Sequence, residues 1–86
     1  MNQREAFTET VDLAIMRGMP LNPGSDLGLD HLIDMGGRLD DNPDYSDAKV
    51  GRWLGWAQCA LVAANVGVTL EDVKQINMRH AGVPGE

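Results

Sequence analysis

The residues of this chain best placed to do chemistry are aspartates. Asp40, Asn42 and Asp44, within DDNPDYSD, put side-chain oxygens at alternate positions, as a helix–loop–helix calcium site does. The spacing fails where that loop is most demanding. Tyr45 stands where it needs glycine for the sharp turn, and Gly51 where it needs a bidentate glutamate. Asp26, Asp30 and Asp34 recur every fourth residue, which on a helix aligns three carboxylates along one face. Like charges so placed repel one another. The arrangement is therefore either a solvated face or an electronegative patch, extended by Asp40, Asp41 and Asp44, that engages a basic surface. Such a patch can occupy a nucleic-acid-binding groove and block it.

The other candidates are weaker. His31 and His80 each stand alone, with no second histidine or cysteine at metal-ligand spacing, so no metal and no cofactor is expected. His31, beside Asp30 and Asp34, reads as half of a helix-surface ion pair. Cys59 falls among alanines on an apolar stretch and reads as a small buried hydrophobe rather than a nucleophile. No Ser–His–Asp order, glycine-rich phosphate loop or CxxC occurs, and the expectation is a protein that is not an enzyme.

Charge placement narrows the partners. The 86-residue chain has a formal net charge of −6. Between Asp26 and Asp47, Arg38 alone faces seven acids, so the middle stretch holds the whole excess and the remainder is balanced. That argues against direct nucleic-acid binding, which needs lysine and arginine on phosphate, and for a protein partner with a basic surface. The apolar run Ala60 to Ala64 is far below the roughly 20 residues needed to cross a bilayer. The N-terminal MNQREAFTETVD is polar, without an apolar core of signal length, so a cytoplasmic protein without membrane partners is expected.

The elements that must position these residues are helices, and the length is that of one domain. From Gln3 to Arg17, Phe7, Val11, Ala14 and Ile15 fall at helical spacing, and Gly18, Pro20 and Pro23 end the segment. A short helix from Leu27 to Met35, capped by Ser25 or Asp26 and stopped by Gly36-Gly37, would turn Leu29, Leu32 and Ile33 inward. Asp44 or Ser46 caps a long third helix whose seam is Val50, Leu54, Ala57, Leu61 and Ala64. Thr69 and Asp72 form a capping box for a last helix through about His80, with Val73, Ile76 and Leu70 inward. No alternating β-branched run appears. The fold class is all-α, a compact bundle of about four helices around the long central third helix.

That third helix carries a second candidate surface. Gly51, Gly55, Cys59 and Ala63 recur every fourth residue, and small side chains so aligned admit another backbone closely. Glycine inside a helix costs about 0.5–1 kcal/mol relative to alanine, which a close contact would offset. Trp53 flanks the apolar seam and Trp56 lies toward the Gly55/Cys59/Ala63 side; tryptophans in a domain this size are commonly core, but both fit one small core only with difficulty. An interface through Gly51, Trp53, Gly55, Trp56, Cys59 and Ala63 is expected, with a second copy in an isologous homodimer favoured over helix one or helix four as its occupant.

Lys49 to Leu61, KVGRWLGWAQCAL, resembles a segment of small accessory proteins of tailed bacteriophages and prophages. In those a K/R-x-x-R-W-L-G-aromatic-x-Q helix precedes a short acidic-capped helix. Lys49, Arg52, Trp53, Leu54, Gly55, Trp56 and Gln58 carry the likeness, followed by Thr69 to Asn77; Cys59 stands where the pattern has glycine. The resemblance covers about the last 40 residues and implies a phage origin, with no activity attached. The functional expectation is a small acidic protein that acts by protein–protein interaction, as an inhibitor or modulator of a host machine such as an immune effector or the transcription apparatus. A virion assembly component is the alternative. A helix-turn-helix regulator ranks third, because the last helix sets only Lys74, Arg79 and His80 against Glu71 and Asp72.

Overall fold

Three of the four helices start where a side chain takes up backbone N–H groups left free in the first turn. The computed structural model describes residues 1–81. In it α1 spans Gln3–Met16, α2 Leu29–Asp41, α3 Asp47–Ala63 and α4 Leu70–Arg79, with no strand among the described residues. Asn2 accepts the Glu5 N–H at 3.1 Å and Ser46 the Lys49 N–H at 3.2 Å. Thr69 and Asp72 form the full reciprocal box, at 3.2 and 2.8 Å. Just past the Ala64 C-cap of α3, Asn65 has a left-handed φ of 58° that breaks the helical path.

α2 departs from the sequence expectation at both ends. Its N-cap is Gly28, not Ser25 or Asp26. A β-carbon at Gly28 would strike the Asn22 backbone and the Asp30 carboxylate, so only glycine fits there. Asp30 instead accepts the Asn22 N–H at 2.8 Å and ties the preceding loop to the first turn. At the other end the helix runs through Gly36 and Gly37 to Asp41. Met35 and Leu39 lie on the buried face with Leu32 and carry it past the glycines. Arg4 of α1 then caps its end, donating to the carbonyls of Leu39 at 2.6 Å and Asn42 at 3.1 Å.

The core is one cluster. Ala6, Phe7 and Ala14 of α1 meet Leu32, Met35 and Leu39 of α2, Val50, Leu54, Ala57, Ala60 and Leu61 of α3, and Val73 and Ile76 of α4. α3 is the longest helix, but the central place is shared, because α1 packs against all three of the others. Ile15, Ile33 and Leu70, expected inward, are exposed instead. At about 100° per residue, Ile15 and Ile33 lie well off the Phe7/Ala14 and Leu32/Leu39 lines of their helices.

The end of α4 is latched to α1. Asn2 N–H donates to the His80 carbonyl at 2.7 Å, Arg79 donates to the Glu9 carboxylate, and His80 Nε2 lies 3.0 Å from Glu9 Oε1. The Arg79 hydrogen bond, partly opposed by desolvation and aided by His80, holds the Glu9 carboxyl below its ordinary value. The Thr69 backbone N–H, with its hydroxyl, does the same for Asp72. Both carboxyls favour the charged form in the folded state. Their stabilisation is therefore present above the unfolded-state values and lost as pH falls through the lower folded-state ones. Melting temperature is expected to drop on acidification between about pH 5 and pH 3, and to drop less steeply in Glu9→Gln. Parallel pH profiles for the two proteins by circular dichroism would contradict that assignment.

Candidate protein-interaction site

The two surfaces expected from sequence meet in part. Between α2 and α3 lies an open cleft of about 470 Å³, lined by Met35, Trp53 and Trp56 and by the charged groups Asp26, Asp34, Arg38 and Arg52. α3 brings Trp53 and Trp56 to it, three residues apart, opposite the Arg38-bearing side of α2. Trp53 is half-buried and packs against the core. Its ring meets Tyr45 edge-on at 5.6 Å, and Lys49 Nζ lies 3.8 Å over Tyr45 and 5.4 Å from Trp53. That aromatic and cationic cluster fixes the ring.

Trp56 is different. It is 46% exposed, yet its indole N–H donates to the Asp26 carbonyl at 3.0 Å. The ring's single polar atom is thus satisfied within the chain, while its apolar faces are left to solvent.

The acidic residues do not form one patch. Asp26 precedes α2 instead of continuing the Asp30/Asp34 row, and it sits 3.9 Å from His31, which the sequence had paired with Asp30 and Asp34. Asp30, Asp34 and Asp41 share the ridge of α2 that points away from the core, since at about 100° per residue they lie within about 40° of one another. Asp34 is paired with Arg38 at 2.8 Å. Asp40 is turned to the α1 side, where it lines a second groove, and Asp44 is exposed in the loop before α3.

The small-residue row is likewise divided. Gly51 is filled from within the chain: a β-carbon there would sit 2.5 Å from Gln3 Oε1 of α1. Gly55, Cys59 and Ala63 are exposed and line a mainly apolar groove of about 440 Å³ against Val62, Leu70 and Val73. The expectation of a buried Cys59 is corrected. Its side of α3 lies opposite the Leu54/Leu61 seam, and Cys59 stays exposed in the groove beside Leu70 and Val73 of α4.

Two constellations escaped the sequence. His80, read as isolated, lies between Glu5 and Glu9, with Nδ1 3.5 Å from Glu5 and Nε2 3.0 Å from Glu9. Gln58 and Asn77 exchange amide hydrogen bonds at 2.8 and 3.1 Å, and Gln58 also donates to Thr10 at 3.3 Å. Both link residues far apart in the chain, and no local spacing announces them. Among the described residues no group of three histidine, cysteine or carboxylate side chains is arranged to hold a metal, and no helix is long and apolar enough to cross a membrane. Comparison with protein-family models, curated proteins and solved structures gives no match.

Proposed function

We propose that this protein acts by binding another protein through the α2–α3 cleft, without catalysis of its own. The observation that carries the reading is Trp56, an exposed tryptophan anchored by a hydrogen bond to its own chain. A large, pre-ordered apolar surface beside charged groups is the anatomy of an interaction hot spot, and ordering it in advance lowers the entropy lost on binding. The adjacent ridge of Asp30, Asp34 and Asp41 favours a partner with a basic surface and steers its approach. A phage-encoded modulator of a host machine fits both features and the likeness of the Lys49–Leu61 segment.

The ridge has its own test. Asp34→Lys/Asp41→Lys, two exposed changes that leave the Asp30–Asn22 hydrogen bond in place, is expected to fold as the parent does and to lose the salt-sensitive part of partner binding. Full binding by this variant, with unchanged salt dependence, would remove the ridge from the account. A second reading, self-association through the groove of Gly55, Cys59 and Ala63, is favoured by the exposure of that apolar face. Capture of the protein's own copies alone from a lysate is the result that reading requires.

A further inference from the structure

The side of α2 opposite the tryptophan cleft holds a second groove, of about 510 Å³, against α1. Its apolar lining includes Val11 and Ile15 of α1 and Ile33 of α2, with Ile15 53% and Ile33 48% exposed. Gly36 and Gly37 lie along it, inside the helix. The chain's own packing requires neither glycine. A β-carbon at Gly37 would meet nothing within 4 Å, and one at Gly36 only the Phe7 ring at an ordinary 3.6 Å. Each nonetheless weakens the helix by about 0.5–1 kcal/mol relative to alanine. What Gly37 provides here is a strip of bare helix open to close approach from outside, while Gly36 faces the Phe7 ring.

The charge around the groove selects its occupant. Glu5, Asp12 and Asp40 line it, and neither Asp12 nor Asp40 has an ion-pair partner among the described residues. The one cation in the lining, Arg4, already donates to the Leu39 and Asn42 carbonyls. We propose that this groove binds a basic amphipathic helix of a partner protein, with apolar side chains between Ile15 and Ile33 and lysines or arginines on Asp12 and Asp40. A helix satisfies its own backbone hydrogen bonds, which suits a site between two helices that offers no strand edge. The inference is independent of the cleft reading, because the two surfaces lie on different sides of α2.

The test is an NMR titration of the ¹⁵N-labelled protein with a synthetic leucine–lysine amphipathic peptide about 14 residues long, roughly four helical turns. A leucine–glutamate peptide of the same pattern serves as control. Saturable shifts confined to Val11, Asp12, Ile15, Ile33, Gly36, Gly37 and Asp40 are expected with the lysine peptide alone. Asp12→Lys/Asp40→Lys, two exposed changes that leave the core intact, is expected to weaken binding by about tenfold or more through like-charge contact. Gly37→Leu should do the same by filling the strip while strengthening the helix. Shifts centred on Trp53 and Trp56, equal binding of the glutamate peptide, or undiminished affinity in the charge-reversed variant would overturn the proposal. Concentration-dependent shifts of the groove residues without peptide would put a second copy there and overturn it too.

Discussion

Phe7→Ala is expected to destabilise the domain by about 3–5 kcal/mol, the range for removing a buried aromatic side chain. Phe7 is the chain's one phenylalanine, is 2% exposed, and stands where α1 faces Gly36 of α2 and the common core. Small domains are stable by only about 5–15 kcal/mol, so this loss removes a large share of the total. Phe7 belongs to the one core cluster that all four helices share, and α1 is the element the other three pack against. The cavity therefore has no single neighbour free to collapse into it. Ile15→Ala, two turns later on the same helix but exposed, is expected to change stability by no more than about 0.5 kcal/mol. Urea denaturation of both variants decides the matter, and equal losses would mean that the core is not where the structure places it.

The second large effect belongs to a polar residue. Gln58 is 7% exposed at the junction of α1, α3 and α4, and Thr10, at the same junction, is fully buried. Thr10 donates to the Ala6 carbonyl at 2.8 Å and accepts from Gln58, whose amide also exchanges two hydrogen bonds with Asn77. Among the described residues no buried side-chain nitrogen or oxygen lacks a partner. Gln58→Ala strands the Asn77 amide and removes Thr10's donor, for an expected loss of about 2–3 kcal/mol. Replacing both ends is different. Gln58→Leu/Asn77→Leu leaves no unpaired amide and is expected to be markedly more stable than the sum of the single changes implies. Strict additivity in the double-mutant cycle would show that the two amides do not act as a pair.

Two helix starts were legible from side-chain caps, Ser46 (with Asp44 as the other candidate) and the Thr69–Asp72 box, because those signals are local; the Asn2 cap of α1 went unread. α2 shows the limit. Gly36-Gly37 carries a helix penalty of about 0.5–1 kcal/mol per residue, whereas burying a side chain such as Leu39 gains about 1.5–3 kcal/mol. Tertiary burial wins, and Arg4 supplies the helix end from 35 residues away. The same blindness to distance divided the candidate surfaces. A spacing of four aligned Asp26 with Asp30 and Asp34 only if the helix began before Asp26, and a glycine N-cap at position 28 moved the start beyond it. Trp56 could be suspected of lying outside the core from its angle on α3. Its bond to Asp26, 30 residues earlier, could not be read from the sequence.

Affinity capture from bacterial lysate with the tagged wild-type protein and with Trp56→Ala tests the central claim most directly, provided that circular dichroism shows the variant folded. Trp56 is exposed and lies outside the core cluster, so its removal should leave the fold intact. One stoichiometric protein is expected on the wild-type bait, diminished at high salt, and lost from the variant. The same protein retained equally by both baits, or only the chain's own copies recovered with either, would contradict it.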